Sequence, residues 1–204
     1  MPRGDCSKEN NANPSKLRSM QPNLISLRSL AFSAFFCGVM PFAAAEGLRP
    51  AGYFVQGGIG DGRVWSATVG LTWPWAWKST LLGTEVGGVT EAYISHWNSP
   101  SDRGRRGFTQ VGLVPMFRFR PEQGRSAWFA EAGVGVSAMD HHFVTRDKQF
   151  STSFNFVDIV GVGRSFGAGR GQELGFRLQH VSNGGIRAPN PGQNFIQLRY
   201  SAAF

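Results

Sequence analysis

The chain has 204 residues, with 21 Lys and Arg against 13 Asp and Glu, 27 Gly, 17 Phe, 6 Trp and only 17% charged residues. With 41% apolar residues, this composition excludes a disordered or collagen-like chain. One domain is the default at this length, and the apolar residues would serve equally as a buried core or as a membrane-facing wall.

Residues 29–45 read Ser-Leu-Ala-Phe-Ser-Ala-Phe-Phe-Cys-Gly-Val-Met-Pro-Phe-Ala-Ala-Ala and follow the basic residues Lys16, Arg18 and Arg28. A basic flank, a short apolar stretch and a small-residue end predict a secretory signal peptide over 1–45, cleaved between Ala45 and Glu46. Its apolar part, Leu30 to Met40, falls short of the about 20 residues that a helical span needs. The polar stretch 1–19 is long for a leader, so Met20 is an alternative start. Cys6 and Cys37 both precede the cleavage site, which leaves 46–204 without a thiol for disulfides or metal ligation. Phe36 before Cys37 is too large for a lipid-attachment signal. Residues 46–204 keep 16 of the basic and 11 of the acidic residues, an excess too small to single out an anionic partner, and export disfavours nucleic acid.

After Glu46 no apolar run is long enough for a helical membrane span. What remains is alternation. Trp65, Ala67, Val69, Leu71 and Trp73 alternate with Val64, Ser66, Thr68, Gly70 and Thr72; Leu174, Phe176 and Leu178 alternate with Glu173, Gly175, Arg177 and Gln179; the last residues, 195–204, repeat the pattern. Such period-two stretches are strands. Eight are predicted, over 51–59, 63–74, 80–96, 108–120, 126–138, 151–164, 171–182 and 194–204. Short links near 75–79, 121–125 and 165–170 separate longer ones near 97–107, 139–150 and 183–193. The pattern predicts an all-β fold over 46–204, an eight-stranded antiparallel transmembrane β-barrel of the outer membrane.

The alternative is a soluble lipocalin-like barrel or sandwich, with the apolar row turned inward. Two features favour the membrane barrel. The polar rows carry Glu85, Glu91, Glu131, Glu173, Arg118, Arg120, Arg177 and Arg199, a set that can pair inside a small polar lumen. Aromatic residues near strand ends, Trp73, Trp75, Trp77, Trp97, Trp128 and Tyr200, suit interfacial girdles.

With the N-terminus periplasmic, the seventh strand ends outside at His180-Val181-Ser182. His180 and Ser182 then share the lipid-facing row with Leu174, Phe176 and Leu178. A histidine and a serine two residues apart on one face can form a base and nucleophile pair, and they can equally mark the polar rim where the strand leaves the bilayer. Residues alone leave both readings open.

The run His180-Val181-Ser182-Asn183-Gly184-Gly185-Ile186, followed by Pro189-Asn190-Pro191-Gly192 and a final strand ending in Phe204, resembles the lipid A 3-O-deacylases of the PagL family. The specific part of the resemblance covers 178–202, and the eight-strand layout is shared broadly. The resemblance implies an outer-membrane esterase that removes the 3-position acyl chain of lipid A with a Ser-His-Glu triad and no cofactor. It implies Ser182 as nucleophile and His180 as general base, with Asn183 and the N–H of Gly184 or Gly185 as oxyanion donors, although the glycines equally fit a plain turn. Implied partners are lipid A or lipopolysaccharide as substrate and the barrel assembly machinery of the outer membrane, with a homodimer left open.

The expected Glu is absent: the region reads Gly192-Gln193-Asn194. Motif similarity places Gln193 at that position, whereas parity with Ile196 and Leu198 places Asn194 on the face of His180. A carboxamide can hold an imidazole but cannot stabilise an imidazolium by charge, and it can select the wrong tautomer. Glu173 is no substitute, being on the opposite face and about 23 Å away along the strand. Asp158 is expected beside Arg177 in the lumen, if the turn near 165–170 pairs its two strands about its centre.

Arg103, Arg105 and Arg106 in the link 98–107 are candidates for lipid A phosphates at the headgroup level, with a solvated loop as the plainer alternative. Asp140, His141 and His142 lack a spaced third ligand, so no metal is expected. Gly57-Gly58-Ile59-Gly60 precedes no helix and is no phosphate loop. Three functions compete: the deacylase, a non-catalytic barrel with a structural or surface-binding role, and an acyltransferase of similar architecture.

Overall fold

The computed structural model describes residues 49–102 and 104–204. The expected signal peptide and its cleavage site, Met20, both cysteines and Arg103 lie outside the described residues. The strands are β1 (Gly52–Gly60), β2 (Val64–Pro74), β3 (Ser79–Leu81), β4 (Thr84–Ser101), β5 (Gly104–Arg120), β6 (Trp128–Met139), β7 (Phe154–Phe166), β8 (Gln172–Ser182) and β9 (Gln193–Ala203). All neighbours are antiparallel. Because β1 pairs with both β2 and β9, and β2 pairs with β4, the eight long strands close into a barrel, and β3 is a short flap folded back on β4. Both ends of the described chain lie at one rim, with the turns after β2, β5 and β7; the loops after β4, β6 and β8 and the β1–β2 turn lie at the other, the loop rim.

The alternation sorts side chains between wall and lumen. Val55, Val69, Ile94, Leu113, Val160 and Phe176 point outward and are exposed, Phe176 at 60%. A soluble barrel would bury that row, so its outward direction decides against the lipocalin-like reading. At mid-strand on β8, Phe176→Arg is expected to cost about 2–4 kcal/mol of unfolding free energy in a bilayer, and Gln172→Arg near the rim about 0–1 kcal/mol. Equal costs at both sites would contradict a lipid-facing wall.

The lumen is filled. Arg177, 2% exposed, forks onto both oxygens of Glu91 at 2.7 and 2.8 Å and places its Nε 2.6 Å from Glu131. Arg199 adds a second contact to Glu91 at 2.8 Å, and Arg118 joins Glu131 to Glu173. Above this network, towards the loop rim, sit Trp97, Phe108, Phe143, Phe150 and Phe195.

Four expectations change. The link 97–107 is a hairpin whose pairing runs without a break from Glu85↔Arg120 to Ser101↔Gly104; turn-forming residues there hid an alternation that carries on through them. Residues 80–81 belong to β3, which turns through Leu82 and Gly83, both at positive φ. Trp97 is no girdle residue: its odd parity on β4 sends it inward, 4.7 Å from Phe195 and 5.4 Å from Phe143 between ring centroids. The long link 139–150 is not wholly external, because Phe143 and Phe150 fold in to cap the lumen.

Candidate active site

His180 and Ser182 end β8 at the loop rim, both half-buried on the outer face. They are separated by about 7 Å of strand, within reach of one another by rotamer choice. Below them a groove on the wall is lined by Ile59, Val160, Leu178 and Ile196. The register brings three strands together at His180, which stands opposite Asn194 on β9 and opposite Asp158 on β7.

The β9 partner is the outward Asn194; Gln193 faces inward and donates to the Asp61 carbonyl at 3.0 Å. His180 Nδ1 lies 2.7 Å from Asn194 Oδ1. Asn194 Nδ2 in turn donates to Asp61 Oδ2 at 2.9 Å, and Lys148 Nζ grips the same carboxylate at 3.0 Å and the Gly192 carbonyl at 3.1 Å. With Nδ1 donating to the amide oxygen, Nε2 is left as an acceptor, the state a general base requires. Ser182 Oγ has no hydrogen-bond partner among the described residues.

Gly192 forms the bed of the imidazole. It stands at φ +66°, where side chains are strained, and a Cβ there would come 2.6 Å from His180 Cε1. Gly192→Ala is therefore expected to displace the ring and lower turnover by about 10²-fold, with the barrel still folded by its heat-dependent migration in detergent gels. Unchanged kinetics would show that the ring is not held there.

The Asp61 carboxyl lies below the usual carboxylate range, chiefly through the hydrogen bond from Lys148, which outweighs the cost of burial with help from Asn194. A depressed carboxyl contributes stability that is present above its unfolded value, about 3.9, and lost as pH falls through its folded value. Lys148→Met should make this clamp open at a higher pH, read as faster amide exchange at 61–63; an unmoved pH profile would argue against it.

Asn183 is buried and works within its loop. Its Nδ2 donates to Ser151 Oγ and the Arg187 carbonyl at 3.0 and 2.7 Å, its N–H donates to Asn190 Oδ1, and its Oδ1 accepts the Gly185 N–H at 2.9 Å. The Gly184 N–H has no partner among the described residues. The two described candidate phosphate ligands do not form one cluster. Arg105 and Arg106 are strand residues of β5 rather than loop residues, and alternation sends them to opposite faces, Arg105 across Asn98 to the Arg63 carbonyl and Arg106 over the Phe108 ring. Among the described residues, no three His, Cys, Asp or Glu side chains gather as a metal site would need.

The model of the family described as Lipid A 3-O-deacylase (PagL) matches residues 65–203, nearly the whole barrel and the entire His180–Asn194 region. The chain belongs to this family. Among PagL relatives, the lipid A deacylase PagL of Bordetella bronchiseptica is 30% identical over 149 residues, covering 72% of this chain and 80% of that protein. The Pseudomonas aeruginosa lipid A deacylase PagL is 33% identical over 134 residues, covering 65% and 74%. The crystal structure of the outer membrane enzyme PagL superposes with a TM-score of 0.66 at 28% identity, covering 76% of this chain and all of that one. The PagL barrel is thus the fold described above.

Sequence reasoning missed Asp61 and put Asp158 on the wrong side. Asp158 pairs with His180 rather than Arg177 and is exposed on the outer wall. The β7–β8 turn is centred near Gly169, with Gly167, Gly169 and Arg170 at positive φ, later than the midpoint assumed. A three-residue change of register is odd, so it also turns the side chain to the other face. Asp61 carried one faint signal, a place in the Asp-Gly turn that barrel closure sets beside the start of the last strand.

Proposed function

We propose that this chain is a lipid A 3-O-deacylase, a serine ester hydrolase acting at the outer leaflet. The observation that carries the reading is the His180–Asn194 hydrogen bond on the lipid side of the loop rim, which leaves Nε2 free as a base beside Ser182. In this mechanism Ser182 Oγ attacks the carbonyl of the 3-position acyl ester while His180 Nε2 takes its proton. Collapse of the tetrahedral intermediate expels the glucosamine 3-hydroxyl, which receives that proton from His180. Water, deprotonated by His180 in turn, then hydrolyses the acyl-serine.

The groove of Ile59, Val160, Leu178 and Ile196 suits the departing acyl chain, entering sideways from the bilayer. The Gly184 N–H, without a partner among the described residues, is the oxyanion donor we assign, joined by Gly185 if its bond to Asn183 opens; Asn183 ties this loop together. Loss of such a donor costs about 10²–10³ in rate. Arg105 and Arg103 are the arginines we assign to lipid A phosphates. Export by a leader over 1–45 and insertion by the barrel assembly machinery complete the reading. A non-catalytic barrel is the second reading, favoured by the carboxamide that stands on His180 where the family has a Glu.

Mass spectrometry of lipid A from cells expressing the chain, with Ser182→Ala and empty-vector controls, separates the two. Loss of one 3-hydroxyacyl mass, absent in Ser182→Ala, is the expected result. Unchanged lipid A with folded barrel in the membrane would favour the second reading.

A further inference from the structure

An amide has the same shape in either orientation, so Asn194 by itself could present Oδ1 or Nδ2 to His180. The two faces have opposite consequences. Oδ1 accepts a proton from Nδ1 and leaves Nε2 as the base; Nδ2 donates to Nδ1, forces the proton onto Nε2 and leaves nothing to accept the serine proton. A second partner behind the amide can choose between them. Asp61 is that partner: its Oδ2 accepts from Asn194 Nδ2 at 2.9 Å, and a carboxylate cannot donate.

Asp61 is itself held from three directions. Lys148 Nζ binds its carboxylate at 3.0 Å, Gln193 Nε2 donates to its carbonyl at 3.0 Å, and Asn194 takes the remaining contact. The other charged group facing the imidazole is Asp158, cross-strand on β7, which makes no hydrogen bond to His180. We propose that Asp61 is a positioning residue which, through Asn194, fixes the Nδ1–H tautomer of His180 and so restores by relay what the missing Glu would do directly. This rests on the catalytic reading of His180 and Ser182, but its structural content stands apart from turnover. Asp61 comes from the β1–β2 turn, so the device exists only because the first strand closes the barrel against the last.

The test is 15N NMR of the refolded, histidine-labelled full chain in detergent, together with kinetics on purified lipid A. The four histidines are distinguished by the signal that disappears in His180→Gln. In the wild type the neutral His180 ring should carry its proton on Nδ1. Asp61→Ala and Asp61→Gly, the second chosen because glycine suits a turn, should shift the ring towards Nε2–H and lower kcat by roughly 10- to 100-fold with little change in KM. Asp61→Asn keeps an acceptor but gains a donor, so it should weaken the preference for Nδ1–H and fall between the wild type and the truncations. Asp61→Ala with Asn194→Glu should regain both the Nδ1–H ring and kcat, a rescue that a merely structural role of Asp61 would not give. A wild-type ring protonated on Nε2, or an Nδ1–H ring that persists in the Asp61 truncations, overturns the proposal. Absence of wild-type turnover would instead sink the deacylase reading, while the tautomer shift still decides the role of Asp61.

Discussion

Ser182→Ala is expected to lower turnover on lipid A by roughly 10⁴-fold or more and to leave the barrel as stable as before. Nucleophile and base act as a unit, so His180→Ala should cost about as much, and the double variant little more than either alone. Both side chains sit half-buried at the rim and neither belongs to the lumen network, so the change in stability should stay within about 0.5 kcal/mol. The measurement is single-turnover hydrolysis in mixed micelles, with an unfolding midpoint for each variant. Retained turnover in Ser182→Ala would remove Ser182 from the chemistry. A double variant whose losses multiply would mean that the two residues act independently, which a base and its nucleophile cannot do.

The largest effect on stability is expected at Arg177→Met. Its guanidinium is the main partner of Glu91 and also binds Glu131, in a lumen where Glu91 is 1% exposed. Removing one side of a buried ion network leaves the other charges uncompensated and costs about 3–5 kcal/mol. Arg199 still reaches Glu91 and Arg118 still reaches Glu131, so the barrel should fold but unfold at lower urea. Arg177→Lys keeps the charge and loses the fork onto Glu91, and should fall between the two. A loss below about 1 kcal/mol would mean that the lumen is wet enough to screen these charges.

The two experiments read different faces of the same strand. On β8 the even residues Leu174, Phe176 and Leu178 meet lipid and lead up to His180 and Ser182, while the odd residues Arg177 and Gln179 fill the lumen. A one-residue slip in β8 would exchange these roles completely. The ion network therefore supports the site indirectly, because it rewards only the register that turns His180 and Ser182 outward.

Most strands were readable because a half-lipid, half-lumen wall writes a period of two into the sequence. Parity alone carried Asn194 rather than Gln193 to the face of His180, and the structure has that arrangement at 2.7 Å. Strand ends were less readable. At 97–107 the residues Ser99, Pro100, Ser101 and Gly104 have turn chemistry, yet the long β4–β5 pairing runs through them.

What the sequence by itself determined is the barrel, its two faces and the placing of His180 and Ser182 on the outer one, since all of these follow from local alternation. Tertiary structure alone decided what surrounds His180. Asp158 reached it through the register of one turn, and Asp61, more than a hundred residues earlier in the chain, through closure of the first strand on the last. The folding of Phe143 and Phe150 into the lumen was likewise a matter of space left over, not of pattern. Periodicity reports which way a side chain points from its own strand; which neighbour it meets depends on register and closure, and those are properties of pairs of strands.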